Sequence, residues 1–596
     1  MFNKNAFAQR FNFNIRGGKK AVTYFMSASV KHDAGNLKSL SKDYFSYNNN
    51  INVMRYDFVN NLSIKATNTT KISLGLNVSL RDWKGPSAGV DGIFSMSREA
   101  SPVDFPIVYP ARNDKEIYTL WGGMSGGIYN NGYRNPVAEY VVGYKKQFAS
   151  TVNANIRLDQ DLKMVTKGLK LHVLASFKNW SKTETTRKAG YNQFEIDQYN
   201  EATGEYTLSR VGNEQKTALN TEGAATGDRR IFIQAYLDYK RKFGVHDVNA
   251  MLLYNQDQLD NNKPDNLLSS LPRRKQGIAA RLSYAYDDRY LAEVNFGYNG
   301  SERFAKNNRW GFFPSIGFGW ILTNEPFWLN RTDGWKHAIS KLKLKATYGL
   351  VGNDQIGKDE DRFFYQSDVN VNDSGRKYIW GQDFGYTVNG VSIKRYANES
   401  IGWEISKKMN VGIELGLFDK VEIQADYYTE RRSNILMSRA DIPATMGLQQ
   451  TPQANIGKAE GHGFDMSIDL NHSFTKDFWI TGRANFTYSK SKYKVYEEPD
   501  YSSTPWRSKV GRPISQQWGY VAERLFVDEQ DVASSPVQSF GTYMGGDIKY
   551  KDINGDDKIT EADMVPIGYP TTPEIVYGFG LSTGYKGFDF SFFFQG

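Results

Sequence analysis

Cysteine is absent from the 596 residues, which excludes disulfides and thiolate metal sites. Histidine occurs six times, at positions 32, 172, 246, 337, 462 and 472, and no two have a chelating spacing such as HExxH. No run of 18 apolar residues appears, so no helix is available to span a membrane. The opening Met1-Phe2-Asn3-Lys4-Asn5-Ala6-Phe7 lacks the apolar stretch of a signal peptide. Neither charge sign dominates. The balance is 74 basic to 65 acidic residues, +9 overall, and this mild, scattered excess leaves no nucleic-acid footprint. The Gly-x-Gly at Gly578-Phe579-Gly580 falls within a strand pattern and so marks no phosphate loop. No pair of carboxylates, nucleophile or general base stands out, and no enzymatic activity is expected.

What is abundant is aromatic residues and glycine: 37 Tyr, 36 Phe, 12 Trp and 54 Gly against 18 Pro. That composition suits many strands joined by turns. Period-two alternation recurs along the whole chain. Ala292, Val294, Phe296 and Tyr298 share one face, with Glu293, Asn295 and Gly297 on the other. Leu342, Leu344, Ala346 and Tyr348 alternate with Lys341, Lys343, Lys345 and Thr347. Val421, Ile423, Ala425 and Tyr427 alternate with Glu422, Gln424, Asp426 and Tyr428. Each such strand has a dry face and a wet face.

Length separates a membrane strand from a sandwich strand. Sandwich strands average about 5–6 residues, whereas a tilted membrane strand needs about 9–11. The segments 50–66, 70–83, 230–242 and 276–286 reach the longer class, and roughly eighteen or nineteen candidates occur in all. A single sheet of that size leaves exposed edges unless it closes. A row such as Lys341, Lys343 and Lys345 is a poor lining for a small packed core. It suits a wide lumen holding water or a plug. Connections alternate between short ones, at Asp287-Asp288 and Asp419-Lys420, and long polar ones near 84–140, 182–228, 351–398, 430–461 and 527–573. The fold class expected is all-β, a large transmembrane antiparallel β-barrel with long outer loops, lying in a bacterial outer membrane and surrounded by its lipid.

Several separated stretches carry a family likeness. They include Tyr286-Asp287-Asp288-Arg289-Tyr290-Leu291, Gly300-Ser301-Glu302-Arg303-Phe304-Ala305, Asn308-Arg309-Trp310-Gly311-Phe312-Phe313-Pro314-Ser315, Gly402-Trp403-Glu404 and Asn455-Ile456-Gly457. Asn135-Pro136-Val137-Ala138, Gly546-Asp547-Ile548-Lys549-Tyr550-Lys551-Asp552 and the terminal Phe590-Ser591-Phe592-Phe593-Phe594-Gln595-Gly596 belong with them. In order and spacing the chain resembles the SusC/RagA-type TonB-dependent transporters of Bacteroidota outer membranes. The resemblance implies a 22-stranded barrel filled by a plug. It also implies a TonB-binding segment, a SusD-like lipoprotein lid, and energised import of an oligosaccharide or peptide. On that pattern the chain reads as the barrel portion alone, shortened at both ends and without the plug. Two other readings remain open: a non-transporting outer-membrane adhesin or structural barrel, and a soluble carbohydrate-binding multi-sheet protein.

Candidate contact residues are few. Flat rings stack on sugar faces, and Trp121, Tyr129 and Tyr133 sit in a long polar loop where they are candidates for touching solute or lid. Most other aromatics are expected in interfacial girdles, with Phe312, Phe313, Trp320 and Trp328 as anchors. One possible metal site stands out between positions 552 and 563, where Asp-Ile-Asn-Gly-Asp-Asp-Lys-Ile-Thr-Glu-Ala-Asp resembles the twelve-residue calcium loop. Asp552, Asn554 and Asp556 take positions one, three and five, the Lys558 carbonyl seven, Thr560 nine and Asp563 twelve. Asp557 replaces the usual Gly at six, and Asp563 is shorter than the usual Glu. A bound Ca2+ would brace the loop, whereas without an ion the stretch is a polar Asn-Gly turn. No other cofactor is expected.

Overall fold

The computed structural model describes residues 3–111, 118–126, 134–358 and 361–596. Eighteen long strands belong to one sheet. They are β1 Ala8–Lys19, β2 Val22–Ala34, β3 Asn52–Lys65, β4 Thr70–Pro86, β5 Tyr144–Asp161, β6 Leu169–Lys188, β7 Asn220–Phe243, β8 His246–Asn261 and β9 Arg273–Tyr286. The series continues with β10 Tyr290–Ser301, β11 Trp310–Ile321, β12 Ile339–Asn353, β13 Glu404–Leu417, β14 Val421–Ser438, β15 Gln453–Ser473, β16 Phe478–Val495, β17 Ile575–Tyr585 and β18 Phe588–Gln595.

Two compact units divide the chain. The first comprises Met1–Leu162, Lys170–Ala235 and Gln256–Arg274; the second comprises Lys163–Leu169, Tyr236–Asn255 and Lys275–Gly596. In the first, β1 to β6 form an antiparallel meander in sequence order. In the second, β9 to β18 do the same. Such a ladder satisfies the backbone polar groups between strands, which lipid cannot do.

Register explains how the alternation works. In the second unit Val294 lies opposite Ile316, Ala346 opposite Val411, Val411 opposite Tyr427, and Tyr427 opposite Phe464. Dry residues therefore form continuous rows across neighbouring strands. These rows are on the outside of the protein: Val294, Phe318, Val411 and Tyr427 are all about half exposed. A water-facing surface so apolar would associate, which is the physical argument against the soluble reading. Aromatic pairs bound the band. Tyr290 stacks on Trp320 with centroids 6.5 Å apart near the short turns, and Tyr298 on Trp310 at 4.8 Å near the long loops. The nine residues from Tyr290 to Tyr298 match the ~9–11 that a tilted membrane strand needs to cross the apolar band.

Phe312 and Trp320 are exposed on this face. Phe313 departs from the expected girdle. As the neighbour of Phe312 it points to the wet side, where its ring meets Trp403 edge-on at 5.2 Å. Trp328 lies in the connection after β11, under the Arg331 guanidinium at 5.3 Å.

The short connections are tight. Asp287 and Asp288 both have φ of +50°, and the Arg289 amide closes the turn on the Tyr286 carbonyl at 2.9 Å. That is the primed turn whose twist matches a hairpin, and Asp tolerates the left-handed region better than most residues. Long connections differ from the expected ranges. β6 persists to Lys188 and β7 begins at Asn220, while β14 runs to Ser438 and β15 starts at Gln453. The loops expected at 182–228 and 430–461 thus shrink to 189–219 and 439–452. The hairpins keep pairing beyond the apolar band, where no lipid imposes alternation and the sequence signal fades. The connection expected at 527–573 grows to 496–574, because the short strands Gln517–Gly519 and Ala522–Leu525 pair with Val565–Ile567 and Ile548–Tyr550 inside it.

Candidate functional site

The wet face of the second unit carries an ordered charge ladder. Lys341, Lys343 and Lys345 stand on β12, and each reaches a carboxylate. Lys343 Nζ lies 3.0 Å from Glu414 Oε1 on β13. Lys341 Nζ bridges Glu414 at 3.0 Å and Glu422 on β14 at 2.9 Å. Lys345 Nζ passes over β13 to Asp426 on β14 at 3.0 Å. The reach depends on glycine. Gly412 lies opposite both Lys345 and Asp426, and a Cβ there would sit 2.6 Å from Lys345 Cε and 2.2 Å from an Asp426 oxygen. Gly416 has the same place between Lys341 and Glu422. Farther along, Arg483 Nε meets Asp469 at 2.6 Å. Lys341, Glu422, Asp469 and Arg483 also line a cavity of about 1150 Å3 that extends to Ser591 and Phe593. This wall offers hydrogen bonds and balanced charge to a hydrated solute. Among the described residues no group of three His, Asp or Glu is placed to hold a metal.

In the first unit the outer connections build a small core of their own. Trp121, Val137, Ala138, Tyr140 and Val141 are buried with Leu37 and Ile93. Asn135 ties the core together. Its Oδ1 accepts from the Val137 and Ala138 amides at 3.1 Å, capping the helix Pro136–Val141. Its Nδ2 donates to the Ile107 carbonyl at 2.8 Å and the Gly122 carbonyl at 2.9 Å. The Tyr140 hydroxyl donates to the Lys38 carbonyl at 2.6 Å, and burial pushes its pKa up to about 12.

A model of the family "TonB dependent receptor-like, beta-barrel" matches residues 78–591. The chain belongs to the TonB-dependent receptor-like β-barrel family. It is similar to TonB-dependent receptor P3 of Formosa agariphila, 28% identical over 67% of this chain and 37% of that protein. It is also similar to TonB-dependent receptor SusC of Bacteroides thetaiotaomicron, 23% identical over 99% of this chain and 57% of that one. The RagAB peptide transporter shares the fold, with a TM-score of 0.69, 16% identity, and 100% of this chain against 62% of that one. The chain thus spans between 37% and 57% of the length of those two curated relatives. The SusC/RagA resemblance holds, and with it the outer-membrane location and the all-β barrel architecture. This is a family of receptors, not of enzymes.

The family-like stretches now acquire physical roles in this TonB-dependent receptor barrel. Within Gly300–Ala305, the Ser301 hydroxyl donates to Asp354 at 2.8 Å, and Lys275 Nζ meets the same carboxylate at 2.7 Å. Phe304 is fully buried with Ile356, Phe364 and Ile401, its ring 5.5 Å from Trp403. Asn455 accepts from the Gly402 amide at 2.8 Å and donates to the Asn434 carbonyl at 2.8 Å. These motifs hold outer connections onto the strand ends. Sequence reasoning identified the motifs but could not tell which partners they pin.

The candidate contact residues fare unevenly. Trp121 is only 3% exposed and packs 4.8 Å from Tyr44, so its indole is not presented to solvent. The short strand Leu120–Gly122 turns it into the loop core. Tyr129 and Tyr133 lie outside the described residues. In the 552–563 loop the carboxylates serve backbone amides. Asp552 accepts from Gly555 at 2.7 Å and Asp557 at 2.8 Å, and Asp563 from Ile553 at 2.9 Å and Thr560 at 2.8 Å. Asp556 accepts from the Lys558 amide at 3.0 Å and the Asn554 side chain at 3.0 Å. Ile559 is fully buried, and Asp557, where a calcium loop has Gly, takes a φ of +59°.

Proposed function

We propose that the parent protein imports an oligosaccharide or a peptide across the outer membrane, driven through TonB and working with a SusD-like surface lipoprotein. The observation that carries the reading is the two-faced wall. An apolar belt faces lipid, and a polar face of paired charges, Lys341–Glu422 and Lys345–Asp426, faces the lumen. Paired charges present hydrogen-bonding groups without a net field, which suits the passage of a hydrated solute rather than capture of an ion. Membership in a TonB-dependent family supports the energy source. The RagAB peptide transporter, which shares the fold, supports the peptide class, and the oligosaccharide class and the lipoprotein partner rest on the SusC/RagA resemblance. The test is uptake of labelled glycans and peptides by cells with and without the full-length gene, and with and without the proton gradient. Uptake that depends on both is expected. Gene-independent uptake of every member of the panel would refute the reading.

The same protein is proposed to take calcium at 552–563 through Asp552, Asn554, Asp556, the Lys558 carbonyl, Thr560 and Asp563. Asp552, Asp556 and Asp563 are not gathered for a metal in this structure, so binding has to draw them together and displace the backbone amides now held by Asp552 and Asp563, and the expected affinity is weak, on the order of the millimolar range of extracellular sites. The ion would brace the loop and take no part in transport.

A further inference from the structure

Past the apolar belt, four adjacent strands of the second unit turn bases outward. On β16 the outward residues are Ile480, Gly482, Ala484, Phe486 and Tyr488, and the same parity then places Lys490, Lys492 and Lys494 on that face. These lysines stand at the end of β16 that leads into the long connection 496–574, its outer end. On β14 the face passes from Tyr427 through Thr429 to Arg431, and on β13 from Val411 through Met409 to Lys407. Lys407, Arg431, Lys490 and Lys494 are exposed. Tyr427 and Tyr488 end the apolar belt on their strands, so the bases begin one or two outward positions later. That is the level of lipid headgroups, which long basic side chains reach from an apolar wall.

Register sets these cations against one another. Lys407 lies directly opposite Arg431, with the Cα atoms about 4.5–5.5 Å apart. Like charges so placed repel. Among the described residues of the four strands, Glu460 is the one carboxylate on this face, opposite both Arg431 and Lys492. It turns to Lys492 at 3.3 Å and Lys494 at 3.6 Å. Glu430, next along β14, belongs to the wet face, where Arg432 holds it at 2.7 Å and Lys408 at 3.8 Å. Lys407, Arg431 and Lys490 are thus left without a carboxylate of their own. The wet face is different, since Lys341, Lys343 and Lys345 each reach an acid there.

An occupant of this face has to be anionic and has to approach from the lipid side. The patch is continuous with the belt, because Val411, Tyr427 and Phe464 lie directly below it on β13, β14 and β15. A lipid that carries phosphate meets both demands: its acyl chains lie along the belt and its phosphate stands among the bases. A guanidinium holds phosphate through two parallel hydrogen bonds, and an ammonium adds a point charge. We propose that the outward face of β13 to β16 binds the phosphate of an outer-leaflet glycolipid. Lys407 and Arg431 form the clamp, and Lys490 and Lys494 extend it. The inference rests on which face meets lipid and not on transport, so it stands or falls separately from the import reading.

The test titrates the full-length protein, purified in neutral detergent, with phosphorylated lipid A, the same lipid A after enzymatic dephosphorylation, and inorganic phosphate. Binding is read by native mass spectrometry. The wild type is expected to hold phosphorylated lipid A at least tenfold more tightly than the dephosphorylated form, with affinity falling as salt rises. A base beside an anionic lipid surface is worth about a fivefold gain in binding. The double variant Lys407→Gln/Arg431→Gln should therefore lose about twenty- to thirtyfold. Lys490→Gln/Lys494→Gln should also bind more weakly, and it keeps the test open if the first variant misfolds. Lys408→Gln, one position along on the wet face, should bind like the wild type. Equal binding of the two lipid forms overturns the phosphate assignment. Inorganic phosphate bound as tightly as the lipid overturns the lipid assignment in favour of a free anion. Wild-type affinity in both folded double variants removes the site from this face.

Discussion

Asn135→Ala should unfasten the outer loop core of the first unit while leaving the strands intact. The wild-type side chain makes four hydrogen bonds, two as helix cap and two to the Ile107 and Gly122 carbonyls. Loss of a cap costs about 1 kcal/mol. Both carbonyls keep a second donor, Ile107 the Gly122 amide at 3.2 Å and Gly122 the Gln193 side chain at 3.4 Å, so each lost bond costs about 0.5–1.5 kcal/mol. The sum is about 2–4 kcal/mol of local stability, a roughly thirtyfold or greater loss of protection against opening. Hydrogen exchange of the full-length protein, followed through the Glu139 and Val142 amides that bond back to Asn135 and Ala138, reads this directly. Asn135→Asp separates the two halves of the argument. It keeps the cap acceptor but removes both donors, and it should lose about half of the protection free energy or more. Exchange in β5 and β6 should not change in either variant. Unaltered helix protection in Asn135→Ala, or full protection in Asn135→Asp, would show that Asn135 does not hold the core as argued.

The face assignment predicts opposite outcomes at neighbouring positions of equal depth. Val294→Arg, on the apolar belt midway between Tyr290 and Tyr298, should cost about 2–4 kcal/mol in urea-dependent folding into bilayers. Asn295→Arg, on the wet face, should cost under about 1 kcal/mol, and equal costs would invert the reading. In the loop 496–574, the Arg524 guanidinium and the Val527 amide hold the Asp531 carboxyl well below the usual carboxylate range. Because the folded-state value is depressed, the stabilisation is present above the unfolded value of about 4 and is lost as pH falls below it. Amides around Val527 and Asp531 should therefore begin to lose protection as pH falls through about 4 and go on losing it toward the depressed folded value, after correction for intrinsic exchange. Asp531→Asn should abolish the difference, and a pH-independent wild type would count against the pairing. Calcium titration of the full-length protein should show weak binding that is lost in Asp552→Ala and Asp556→Ala; identical binding in all three proteins would end the calcium proposal.

Alternation alone determined the strands, because lipid on one side and water on the other force opposite demands on successive residues. Val294 and Asn295 could be assigned to opposite faces from their parity, and the tight turn at Asp287-Asp288 followed from residue type. The row Lys341, Lys343 and Lys345 could be read as wet. What neutralises it could not, since Glu414, Glu422 and Asp426 lie some seventy to eighty-five positions away and only register brings them across Gly412 and Gly416. Beyond the apolar belt the sequence loses this guide. Trp121 looked like an exposed ring in a polar loop and is instead the centre of a small core, because Asn135 gathers carbonyls from two distant segments. Glu139 carried no local signal at all. Its burial and its ion pair with Lys188 exist only once the helix Pro136–Val141 and the end of β6 are brought together. A repeating physical constraint along the chain is legible residue by residue. A site made by packing irregular segments against one another has no period, so only the tertiary structure decides it.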